Sequence, residues 1–205
     1  MYPFGRIAFG YRVGSRLAEA VLAGSHTRAF GTAARFSLGA RPGYTSRQQT
    51  LRQTLDYSYD LLGGYEQRLL AQLSVFWGSF TLEAAEAVVA VGEVAGRVLP
   101  GLLALVDNSL LQQTDVGGEV RLALLDVVRE YAHERLVAVG GGDELQRRHA
   151  NWYLRLAEQA EQEIRGAQQV GWLQRLEQDY ANLEAALAWT LAHDPEMAIR
   201  LTGAL

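Results

Sequence analysis

The chain has no cysteine. Disulfides, thiolate nucleophiles and cysteine-ligated metals are therefore excluded. It has no lysine either, so all 19 of its basic Lys/Arg positions are arginine. A phosphate-binding loop of the G-x-x-x-x-G-K-[ST] type needs a lysine to reach the β- and γ-phosphates. None can be built here, and the glycine-bearing GSHTRAFGTA at 24–33 reads as loop. Long apolar runs are also missing. The N-terminal MYPFGRIAFGYRVGSRLAEAVLAG is interrupted too often for a signal h-region or a membrane span. A cytoplasmic protein with no membrane partner is the expectation.

What remains is a chain of 205 residues, 49% of them hydrophobic, enough for one medium domain or two small ones with real cores. Its net charge of −4 hides an asymmetry. Residues 1–47 hold seven arginines and one acid, Glu19, whereas 48–205 hold twelve arginines and twenty-two acids. The basic segment is glycine-rich and lacks a steady period, so 1–44 reads as a poorly defined N-terminal segment.

Beyond the Gly39, Pro42 and Gly43 breakers the pattern turns helical, with Thr45 or Ser46 as a possible cap. Leu51, Leu55, Tyr59 and Leu62 share one face, and Gly63-Gly64 ends that helix. A second helix is predicted over about 66–77 and a third over 81–92, opened by Thr81 as N-cap. A fourth lies within 94–111, with Pro100 in its first turn, where a missing N–H costs little. NSLLQQTD (108–115) and EVRLALLD (119–126), joined by Val116-Gly117-Gly118, read as a β-hairpin. LLDVVREYAHERL (124–136) reads as a closing helix that stops at Gly140–Gly142. Helices over about 143–165, 169–193 and 195–205 follow. The fold class expected is mainly α with one small β-hairpin: a winged helix over 45–140, then the start of an α-solenoid of helix pairs over 141–205.

The ordered segments TLRQTLDYSYDLL, YEQRLLAQLSVFWGSFTLEAAEAV, LLALVDNSLL, RLALLDVVREYAHERL, RRHANWYLRLAE and DYANLEAALAWTL together resemble one family. It is the bacterial signal-transduction ATPases of the NB-ARC (STAND) class, the LuxR-type and AfsR-like transcriptional regulators. The resemblance runs from about Arg35 to Leu205. It implies a winged helix followed by a tetratricopeptide-like sensor, without the P-loop domain through which the family binds ATP or ADP. On this reading the chain is a fragment at both ends and carries no cofactor of its own. Its partners would be the nucleotide-binding domain, in cis or in trans, and a protein or small-ligand signal on the helical array. The family's Met-His-Asp motif corresponds to Leu124-Leu125-Asp126, where leucine replaces the phosphate-sensing histidine.

LLDVVREYAHERL carries the densest chemistry. His133-Glu134 begins an H-E-x-x-H pattern, but the fifth position is Val137, so the second zinc ligand is missing. Asp126 and Glu130 lie four apart, yet Arg129 offers Asp126 an ordinary surface ion pair, and a carboxylate at a helix start suits the dipole. Asp126 is also a candidate N-cap. Leu124, Val127, Val128, Tyr131, Ala132 and Leu136 would anchor the helix. Asp126, Arg129, Glu130 and Arg135 are the interdomain or structural candidates, with Arg129, Glu130, Glu134 and Arg135 facing water or an absent domain. His149 is expected to pack beside Tyr153. Trp152, Tyr153, Trp172, Tyr180 and Trp189 read first as inter-helix core and second as a ligand groove.

No nucleophile–base set, metal set or phosphate loop is present, so an enzyme is not expected. Residues 48–139 carry six arginines against twelve acids, which disfavours direct DNA binding through phosphate contacts. The primary expectation is a non-catalytic regulatory fragment in which the winged helix couples a nucleotide domain to a sensor. The alternative is a stand-alone winged-helix DNA-binding regulator.

Overall fold

The computed structural model describes residues 46–90 and 96–205. The expectations for the basic segment, the loop at 24–33 and a cap at Thr45 lie outside the described residues, as do the end of the third predicted helix and the start of the fourth, at 91–95.

Helix α1 (Ser46–Asp60) leads into α2 (Gly64–Leu73), β1 (Ser79–Thr81), α3 (Leu82–Val89), α4 (Val98–Asp107), the hairpin β2 (Gln112–Val116) and β3 (Glu119–Ala123), and α5 (Asp126–Val139). The strands form one antiparallel sheet in the order β1-β3-β2. A helix (α2), a short strand, two further helices (α3 and α4) and a hairpin, in this order, make a winged helix. The expected mainly α fold with a winged helix is what the structure has, and the single β-hairpin expected is part of a three-stranded sheet.

Local chemistry explains most boundaries. The Thr81 hydroxyl accepts a hydrogen bond from the Ala84 amide at 3.1 Å and caps α3 as expected. Gly117 and Gly118 take φ of +67° and +88° in the hairpin turn, a conformation L side chains resist. Two boundaries differ from expectation. Helix α2 ends at Leu73, four residues early, because Ser74, Val75 and Phe76 bond back three residues instead of four. Strand β2 begins at Gln112, because Asn108 and Ser109 turn the chain and the Leu110 and Leu111 amides both bond the Leu105 carbonyl. Strand β1 was not anticipated. It is three residues long and pairs with β3 in the register Phe80↔Leu122 and Thr81↔Arg121.

The winged-helix core is dry. Leu69, Leu70 and Leu73 of α2, Val88 and Val89 of α3, and Leu102 and Leu105 of α4 are all essentially inaccessible. Phe76 and Phe80 stack with centroids 4.3 Å apart, and buried His149 meets the Phe76 ring edge-on at 5.3 Å. A Cβ on Gly101 would collide with the side chains of Leu69 and Tyr65, so this glycine lets α4 lie against α2. Arg121 is also buried. Its guanidinium donates to the Ser79 hydroxyl (2.9 Å) and carbonyl (3.1 Å) and pairs with Glu119 at 3.1 Å, riveting β3 to β1.

After α5, the chain forms α6 (Gly142–Glu163), α7 (Gln169–Gln178), α8 (Tyr180–His193) and α9 (Pro195–Ala204). Contacts divide the described residues into two compact units within α6, between His149 and Ala150. The single helix expected over 169–193 is two. The backbone bends at buried Asp179 (φ −92°, ψ 6°), although Asp179 still bonds Arg175 and Leu183 along the chain. In the second unit Trp172, Leu176, Leu183 and Leu187 are buried, the stripe read from their spacing. Asp194 caps α9 by accepting from the Met197 amide at 3.0 Å, with Pro195 in the first helical position. No helix among the described residues is long and apolar enough to cross a membrane.

Candidate nucleic-acid interface

Helix α4 and the hairpin tip both present exposed faces beside the core that α2, α3 and α4 share. Helix α4 has two faces. Val98, Gly101, Leu102 and Leu105 are buried, which leaves Leu99, Pro100, Leu103 and Asp107 exposed on the other side. Leu99 is 46% and Leu103 53% accessible, one turn apart. Arg97 stands just before the helix, its guanidinium 4.8 Å from the centre of the Tyr65 ring. The Tyr65 hydroxyl donates to the Arg97 carbonyl. At the other end the Asn108 amide donates to the Ala104 carbonyl at 2.8 Å and closes the last turn.

The hairpin is more exposed still. Every residue of β2 is accessible. Its turn is locked by the Asp115 carboxylate, which accepts from the Gly118 amide at 2.9 Å. The second acid at the tip, Glu119, is held by Arg121. Both wing carboxylates thus have partners within the hairpin, and Val116 and Val120 are the apolar groups it shows to solvent.

The residues singled out on α5 divide between roles. Asp126 is the first helical residue and exposed. The cap position is Leu125, without a side-chain cap bond, so Asp126 serves the helix dipole and not as an N-cap. Arg129 is not an ion-pair partner of Asp126. Its guanidinium lies 3.6 Å over the centre of the Trp77 ring, and burial pulls its pKa down. Glu130 is exposed. Arg135 donates to Asp56 (3.0 Å) and to the Tyr131 hydroxyl (2.6 Å), and Tyr131 in turn donates to Asp56 at 2.8 Å. Burial, with the Asp56 hydrogen bond next, pushes the Tyr131 phenol up to about 12. Glu134 pairs with Arg52 at 2.6 Å. The face expected to meet water or an absent domain is therefore partly occupied, by Trp77 and by α1. Val127, expected as an anchor, is 41% accessible instead. His133 is half-buried, and burial followed by the Arg129 charge lowers its pKa. No three His, Asp or Glu side chains among the described residues are grouped to hold a metal ion.

What sequence reasoning missed is the pairing across distance. Trp77, Arg52, Asp56 and Arg121 gave no local signal of their roles, since each finds its partner in another element.

Comparison with known proteins bears on this geometry. Residues 62–137 match the winged helix-turn-helix domain family. Over 157 residues, 76% of its length, the chain is 38% identical to proteins named "Putative HTH-type transcriptional regulator" in Mycobacterium tuberculosis (strain H37Rv) and Mycobacterium bovis. It spans 18% of the length of these relatives. An uncharacterized protein of Mycobacterium tuberculosis is 36% identical over 111 residues, 53% of this chain and 28% of that one. No solved structure matches. The expectation that direct DNA binding is disfavoured is corrected by these matches. It rested on a charge total over 48–139. Backbone affinity depends instead on which charges lie at the docking face, and the total averaged over residues far from α4 and the wing. The chain carries a winged helix-turn-helix domain homologous to part of proteins named as HTH-type transcriptional regulators.

Proposed function

We propose that this chain acts in transcriptional regulation and that its winged helix binds duplex DNA. Helix α4 enters the major groove, Arg97 reaches a phosphate beside it, and the β2–β3 turn lies along the backbone. The single observation that carries this reading is the free outer face of α4, placed immediately before a glycine-turned hairpin in a winged helix-turn-helix domain. The face suits base-edge contact more than phosphate contact. Leucines can pack on thymine methyl groups, and a carboxylate such as Asp107 can accept from the cytosine amino group. Affinity is expected to be modest, because few cations neutralise phosphates.

The test is fluorescence anisotropy of the full chain with a labelled random duplex and with duplexes selected by the protein, across a salt series. Binding should weaken with salt, and Arg97→Ala should make the log–log slope shallower by about one. Absence of binding at low salt with tens of micromolar protein refutes the reading.

A second reading has its own observation. The outer face of α4 has Leu99, Leu103 and Asp107 but no cation, a composition that also suits a protein surface. In that reading the module belongs to a STAND-type ATPase regulator, where it couples a nucleotide-binding domain to a tetratricopeptide-like sensor begun by α6–α9. Adding a nucleotide-binding segment from a longer relative and measuring association with Leu103→Glu against the unaltered chain tests it. Association that ignores the substitution removes this reading.

A further inference from the structure

We infer that α1 is a polar latch on the winged helix, a helix that can lift from α5 while the domain beneath it stays folded. Two features of the fold lead there. First, α1 brings almost nothing to the core. None of its residues from Thr50 to Asp60 is buried, and Leu51 and Tyr57 are 43% and 67% accessible. By contrast α2, which follows directly, buries Leu69, Leu70, Ala71 and Leu73. Second, the described contacts of α1 with α5 are made by side-chain tips along one seam. Arg52 pairs with Glu134 at 2.6 Å. One turn on, Asp56 accepts from both Tyr131 and Arg135. Tyr59 meets the Tyr131 ring edge-on at 5.6 Å, with the Arg135 guanidinium 5.1 Å from the Tyr59 centroid. Positions 52, 56 and 59 of one helix thus face 131, 134 and 135 of the other, each set at helical spacing.

Attachments of this kind respond to conditions that leave an apolar core untouched. Exposed ion pairs are screened by salt and hold weakly, whereas leucine packing is not screened. Elements with few buried apolar contacts open at the low end of the stability range, independently of the core. The Gln67 amide, which donates to the Tyr59 carbonyl at 3.0 Å, and buried Leu62 keep the end of α1 in place. They make the 60–64 connection the pivot. Lifting α1 bares Tyr131, Glu134 and Arg135 on α5. A pull on the chain before residue 46 would reach the winged helix through this latch. The device is independent of whether α4 binds DNA.

Amide hydrogen exchange on the full chain tests it, with peptides covering 50–60 compared against those covering α2 and β3. Asp56→Ala should speed exchange across 50–60 at least tenfold while α2 and β3 change less than twofold. Raising NaCl from low to about molar concentration, where the screening length shrinks to a few ångströms, should act in the same direction. Arg52→Glu and Glu134→Arg should each loosen α1, and the double reversal should restore its protection. If 50–60 exchanges in step with α2 and β3 in every variant, α1 belongs to the cooperative core and the latch is wrong. It is equally wrong if the single charge reversals leave 50–60 unchanged.

Discussion

Arg121 gives the sharpest quantitative test of how this fold holds its wing. The side chain is fully inaccessible, which is rare for an arginine, while its acid partner Glu119 keeps 42% of its side-chain surface. Two parts of the residue can be weighed separately. Its three methylenes, buried between strands, contribute roughly 0.8 kcal/mol each, or about 2.4 kcal/mol. The guanidinium's bonds include those to the Ser79 hydroxyl and carbonyl and to Glu119, but burying the cation costs several kcal/mol, so its net contribution is small. When the cation is lost, Glu119 turns to water and suffers little. Ser79 loses a donor to its carbonyl, worth about 1 kcal/mol.

Arg121→Ala should therefore cost about 3 kcal/mol, and Arg121→Met, which keeps an apolar stem, about 1 kcal/mol. At roughly 4–8 °C per kcal/mol for a domain of this size, the alanine variant should lower Tm by more than about 10 °C. Urea melts followed by circular dichroism, with exchange of the β2–β3 amides to identify the unfolding unit, give both numbers. If the methionine variant is as unstable as the alanine variant, the charge and not the stem holds the sheet. If neither differs from the parent, Arg121 is no rivet.

Three further outcomes are expected. Thr81→Ala removes the cap of α3 and should cost about 1 kcal/mol, with Thr81→Ser recovering most of it, as read from thermal melts. Arg129→Ala removes the cation over Trp77 and should cost about 1 kcal/mol, whereas Asp126→Ala should cost only a few tenths because it removes a dipole contact and no cap. Tyr131 has a phenol raised from 10.0 to about 12, so the folded state favours its protonated form. Its contribution is complete below pH 10 and is lost as pH rises toward 12. The Tm difference between the parent and Tyr131→Phe should thus shrink across that window, and a difference that grows there contradicts the upward shift that burial, with the Asp56 hydrogen bond next, gives the phenol.

Much of the fold was legible because its signals are local. Thr81 caps a helix whose first turn follows it immediately, Gly117-Gly118 must turn the hairpin, and the stripe from Trp172 to Leu187 needs only helical spacing to be read as core. Strand β1 was illegible because three residues carry no period; it exists through pairing with β3, more than forty residues away. Asp179 was illegible for a similar reason, since the leucine stripe runs through the bend. At the candidate interface, the helix and hairpin were read from sequence, but which side of α4 stays free depends on where α2 lies, and Gly101 showed its role only once Tyr65 and Leu69 were beside it.

The charged face of α5 shows why residue type alone could not decide its role. A row of Arg, Glu and His at helical spacing fits solvent, an active site or a partner equally well, because the same donors and acceptors serve all three. Distance separates them. Arg129 is claimed by an indole from the α2–β1 corner, Glu134 by Arg52, and Arg135 by Asp56 and Tyr131, while Glu130 and Asp126 are left exposed. The polar groups of α5 that have partners spend them on holding α1 and the α2–β1 corner. That assigns α5 to joining the parts of the winged helix, and it leaves the exposed faces of α4 and the wing to the proposed DNA contact.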